Sequence, residues 1–79
     1  MIQVGSHVDV QDRVTLLSQR ERNVLELLAE GLGVKEIAHV LRIAVRTVDT
    51  YIRNIFDKLG VNKAVLAVRY AIRSGLVPA

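Results

Sequence analysis

Arg46, Asp49, Thr50, Arg53 and Asp57 lie three or four residues apart, apart from the adjacent pair Asp49-Thr50. On a helix advancing about 100° per residue they share an arc of about 100°. They therefore form one polar stripe. Arginine presents a planar fork of donors that fits a phosphate or the paired acceptors of a guanine edge. Threonine adds a hydroxyl. Aspartate accepts only, from a donor such as cytosine N4. Such a set suits hydrogen-bonded recognition of bases and phosphates, with no bond made or broken. The same stripe also fits an ordinary solvated helix face, so the surrounding elements must decide.

Other chemistry has little support. Glu36 and His39 stand at i, i+3, a spacing used by metal sites, but no second such pair exists and His7 is the only other histidine. There is no cysteine, which removes disulfides, thiolate zinc sites and thiol nucleophiles. No glycine-rich loop follows a strand, so a phosphate-binding loop is absent. No Ser-His-acid or paired-carboxylate set is present. A chain of 79 residues is too short to enclose a deep pocket. The expectation is a non-enzyme with no catalytic residue, metal or cofactor.

The elements that carry the stripe can be read from periodicity. With Arg46 at zero, Val48, Ile52, Ile55 and Leu59 fall between about 180° and 240°. The spacing thus predicts an amphipathic helix over 45–59, stopped by Gly60. A short helix over Val34 to Leu41 precedes it, with Ile37, Ala38 and Leu41 on one face. Arg42-Ile43-Ala44 is the tight connection. Two helices joined by such a turn, the second basic on its outer face, make a helix-turn-helix. Upstream, Ser18 and Glu21 fit a capping box. Val24, Leu25, Leu27, Leu28 and Leu32 supply an apolar stripe, and Gly31 is the left-handed residue that ends that helix.

A fourth helix is predicted over 63–73, ending near Ser74-Gly75. Pro78 cannot continue it. Ala64, Ala67, Val68 and Ala71 form its packing stripe, which leaves Val65, Leu66 and Ile72 outside. A helix apolar on two sides calls for a second partner, and in a small protein the simplest is another copy. The other candidate is the N-terminal segment folded back. Residues 1–16, where Ile2, Val4, Val8 and Val10 alternate loosely with polar residues around Gly5-Ser6, read as an arm or linker. Residues 17–77 read as the domain.

Composition agrees with a small globular all-α fold. The chain is 51% hydrophobic and 24% charged, with aromatics at 4%, so its core is aliphatic. Residues 42–79 carry a net +5, whereas 1–17 and 18–41 carry −1 each. That asymmetry is expected of a polyanion binder. No apolar run could span a bilayer, and the start lacks a basic signal-peptide region. With no cysteine, the expected location is cytoplasmic.

The chain resembles the DNA-binding domain of LuxR-type transcriptional regulators, also called GerE- or NarL-type. The resemblance rests on Leu17-Ser18-Gln19-Arg20-Glu21-Arg22, Val24-Leu25, Ala29-Glu30-Gly31, Lys35-Glu36-Ile37-Ala38, Leu41 and Ile43. It continues through Thr47-Val48, Ile55, Lys58-Leu59-Gly60-Val61, Ala67-Val68 and Gly75-Leu76. An ordered set of spacings over four helices is far more specific than a single short motif. It implies bacterial transcription control by sequence-specific binding of double-stranded DNA, with helix 45–59 in the major groove. It implies Asp49, Thr50 and Arg53 at base-reading positions, and Arg46, Thr47 and Lys58 at phosphates. Glu21 matches an acidic residue with an ion-pairing, structural part. A homodimer through helix 63–73, using Val65, Leu66, Arg69 and Ile72 and weak in isolation, is also expected. So is a contact with RNA polymerase.

Several positions depart from the family pattern. Ala44 replaces a hydroxyl N-cap, at a cost of roughly 1 kcal/mol. Asp49 replaces a more usual lysine. Arg42 stands where a glycine or small polar residue is usual, which strains a left-handed position but adds a cation. Ala64 replaces a usual arginine, and Gln19 a common proline. Two other readings follow. In one, the domain is a protein-interaction module that pairs with a related regulator and hinders its DNA binding. In the other, it is a fragment like the promoter-recognition domains of sigma factors, which fits the fourth helix and Gly60-Val61 less well.

Overall fold

The computed structural model describes residues 13–78. Within them the chain forms α1 (Gln19–Ala29), α2 (Val34–Leu41), α3 (Val45–Leu59) and α4 (Ala64–Ser74), with no strand. The all-α expectation holds, and the bounds of α2 and α3 are those read from the sequence. Lys63 is the N-cap of α4 and not its first helical residue. The strand-like alternation of Ile2 to Val10 lies outside the described residues.

Several helix boundaries have a local cause. At the start of α1 the Ser18 hydroxyl accepts the Glu21 amide at 3.1 Å. Glu21 Oε1 accepts the Ser18 amide at 2.9 Å in return, completing the capping box. At the start of α2 the cap residue is Gly33, which has no side chain to offer. There Glu36 Oε1 accepts the Gly33 amide at 2.7 Å. Three of the four helices end in the same paired hydrogen-bond motif. The Leu32 amide returns to the Leu27 carbonyl, Ile43 to Ala38 and Val61 to Phe56, at 3.0–3.2 Å. Each motif needs one left-handed residue. Gly31 and Gly60 supply it after α1 and α3, but after α2 it is Arg42, at φ 58°.

Helices α1 and α3 each pack against the other three. Val24 and Leu25 of α1, Ile37 of α2, Val48, Ile55 and Leu59 of α3, and Ala67 and Ala71 of α4 are fully enclosed. The small alanines let α4 approach closely. Ala64 departs from the expected stripe, because it stands exposed at the first turn of α4 and cover begins at Ala67. The packed body also begins earlier than position 17. Val14 and Leu17 are buried in the core, and Arg13 Nη1 donates to the Leu59 carbonyl at 2.9 Å. That bond places a cation at the C-terminus of α3, the favourable end of the helix dipole. Gly60 makes room for it, since a β-carbon there would lie 2.6 Å from Arg13 Nη1.

Candidate nucleic-acid interface

The sequence of α3 gives the helix two unlike faces, and the fold buries only one. Val48, Ile55 and Leu59 are enclosed and Ile52 is half-buried, whereas Arg46, Thr47, Asp49, Thr50, Arg53 and Asp57 are exposed. The stripe read from spacing is therefore a real outer surface, held rigid by the helix behind it. Asp49, Arg53 and Asp57 are spaced at i, i+4, i+8, and none of them forms an ion pair among the described residues. The Arg53 guanidinium keeps its donors for an external acceptor. The Thr50 hydroxyl donates to the Arg46 carbonyl at 3.1 Å, which leaves its lone pairs as acceptors.

The start of α3 is electropositive without compensation. Ala44 makes no side-chain cap bond and the first turn holds no acidic residue. Arg46 lies within that turn, and Arg42 lies two residues before the cap, exposed in its left-handed conformation. Helix dipole and cations thus have the same sign, an arrangement favourable once an anion stands before it.

Lys58 has a different environment. Its Nζ meets Glu21 Oε1 at 2.8 Å, tying the end of α3 to the start of α1. Glu21 is only 4% exposed. Burial alone would raise its carboxyl pKa. The hydrogen bond from Lys58, the Ser18 amide, the Lys58 charge and the Ser18 side chain together outweigh burial and hold it below its ordinary value. The cation expected at a phosphate is thus paired at the domain surface, its own side chain 38% exposed, because the capping box fixes a buried carboxylate one lysine length away.

On α4, Val65 is 60% and Ile72 40% exposed. Arg69 is exposed beside them and Leu66 is half-buried. The residues expected at a dimer contact thus form an uncovered apolar ridge. Glu36 and His39 gather no further ligand. Glu36 is the Gly33 cap, and no group of three or more potential metal ligands occurs among the described residues. No helix of the described residues is long and apolar enough to cross a membrane.

A family model for bacterial regulatory proteins of the luxR family matches residues 15–71. The chain belongs to this family. It is similar to the transcriptional regulatory protein FixJ of Azorhizobium caulinodans, 42% identical over 77 residues, covering 98% of this chain and 36% of the relative. Response regulator Rre1 of Synechocystis is 44% identical over 57 residues, covering 72% of this chain and 25% of the relative. Oxygen regulatory protein NreC of Staphylococcus aureus is 38% identical over 69 residues, covering 87% and 32% respectively. The chain thus spans about a quarter to a third of the length of the curated relatives it matches.

This luxR-family chain is a helix-turn-helix DNA-binding domain of the transcription-regulator type. Its fold brings Arg46, Thr47, Asp49, Thr50 and Arg53 to one surface and sets Val65, Leu66, Arg69 and Ile72 on a separate one. Two features were not read from the sequence. Arg13 caps α3 across 46 positions, and the specific partner of Glu21 is Lys58, 37 positions away. No local pattern signals either bond. The resemblance gave Glu21 an ion-pairing part but did not name its partner.

Proposed function

We propose that the domain binds double-stranded DNA as a homodimer, with α3 in the major groove. Arg53, Asp49 and Thr50 read base edges, and Arg46, Thr47 and Arg42 hold phosphates. The carrying observation is the outer face of α3, whose donors and acceptors stand exposed and without ion pairs while its inner face is locked into the core. Lys58 is left out of the contacting set, because its ammonium is paired with Glu21. The exposed ridge of Val65, Leu66, Arg69 and Ile72 supports pairing of two copies through α4. Such a pair would read a two-fold-symmetric site.

The names of the relatives support a further step. The domain serves as the output end of a longer bacterial response regulator and acts in the cytoplasm, where its DNA is. The family resemblance also implies contact with RNA polymerase, to which no residue is assigned.

The test is duplex binding by the 79-residue chain. Arg53→Ala should cost about 1–3 kcal/mol on the preferred sequence and relax preference at one base pair. Unchanged affinity and preference would remove Arg53 from the reading set.

A further inference from the structure

We infer that two copies dock along α4 through a reciprocal ion-paired seam, Glu26 and Glu30 of one protomer against Arg69 and Arg73 of the other. The inference rests on the α4 dimer proposed above and supplies its orientation.

The exposed ridge of α4, Val65 and Ile72, has flanks of opposite charge. On one side Ile72 walls a groove of about 250 Å³ whose other wall carries Glu26 of α1 and its C-cap Glu30. On the other side Leu66, Tyr70 and Val61 form a shallow cleft of about 160 Å³ edged by Arg69 and Arg73. None of these four charged side chains forms an ion pair among the described residues. Acids and bases share the same sequence spacing, i and i+4, about 6 Å of helical rise.

Symmetry then selects the arrangement. A two-fold axis running alongside α4 makes the two helices parallel and sets each copy's acidic flank against its partner's basic flank. An axis running across α4 makes them antiparallel and sets arginine against arginine and glutamate against glutamate. Exposed ion pairs attract weakly, whereas facing like charges repel strongly, so the flanks fix orientation more than affinity. The apolar contact comes from Val65 and Ile72, and no residue of α3 lines either cleft. The seam thus leaves the DNA-facing surface open.

The experiment is sedimentation equilibrium of the full chain at low salt, with folding of every variant checked by circular dichroism. Glu26→Arg with Glu30→Arg, and separately Arg69→Glu with Arg73→Glu, should each weaken self-association by at least about tenfold. An equimolar mixture of the two variants should recover the dimer, because both seams are then complementary. A single chain carrying all four substitutions should recover it too. Variants that self-associate like the parent, or a mixture that stays monomeric, would overturn the seam. A Val65→Glu variant separates that failure from failure of the α4 reading. If the charge variants leave the dimer intact while Val65→Glu breaks it, α4 still pairs the copies and only the seam is wrong. A parent that shows no dimer at any concentration removes both.

Discussion

At the scale of single residues, Glu21 and Lys58 tie the start of α1 to the end of α3. Glu21 closes the cap of α1 and binds the ammonium that rises from the last turn of α3. Its carboxyl is held below its ordinary pKa, so the folded state favours the ionised form. The resulting stabilisation is complete above the unfolded carboxyl's pKa of about 4.3. It is lost as pH falls through the lower, folded value. Denaturant titrations from pH 7 downward should show this loss in the parent, and a smaller slope in that acid window for Glu21→Gln. An equal slope would mean that other carboxylates set the acid response. Lys58→Ala should destabilise by about 1–3 kcal/mol, because it leaves a buried carboxylate short of its partner. Its duplex binding, measured where the variant is fully folded, should keep the parent's salt dependence. A salt slope lower by about one would restore Lys58 to the phosphate-contacting set.

At the scale of elements, the turn between α2 and α3 combines a local cost with a proposed gain at the interface. Arg42 holds the left-handed place that glycine takes after α1 and α3. An L-residue there costs about 1–2 kcal/mol. Arg42→Gly should therefore raise stability by about 1 kcal/mol in thermal or chemical unfolding. The same change should weaken binding to all duplexes alike and lower the salt slope by about one. Stabilisation without loss of DNA affinity would remove Arg42 from the interface. Much of this element structure was legible in the sequence. Ser18, Gly31, Gly60 and the aliphatic steps of α3 are local signals, and a single helix or turn suffices to read them. The role of residues 13–16 was not legible. Val14 and Arg13 join the body through contacts with residues far along the chain, and the loose alternation before them pointed to an arm. Ala64 was misplaced for a similar reason, since periodicity gives the face of a residue but not whether a neighbouring helix reaches that far.

At the scale of the whole molecule, one small core holds two surfaces apart. The outer face of α3 and the ridge of α4 come from different helices, so under the proposed reading one copy would bind DNA and another protomer together. Pairing would then raise affinity by linking two half-sites, without a new contact to either. Val65→Glu should leave the monomer fold intact, since Val65 is 60% exposed. It should also reduce binding of a two-fold-symmetric duplex toward that of a single half-site. Equal loss on both duplexes would show that α4 acts on DNA binding by some other route. The outer face of α3 was legible as a stripe at helical spacing, and the resemblance implied the use proposed for it. The acidic and basic flanks of α4 were not legible, because Glu26, Glu30 and Ile72 meet only after α1 and α4 pack. The most direct measurement is selection of the folded chain on randomised duplex DNA at physiological salt. The predicted result is an enriched two-fold-symmetric site whose base preferences shift when Arg53 or Asp49 is replaced. A folded protein that enriches no sequence, or a site indifferent to both residues, would contradict the assignment of the α3 face.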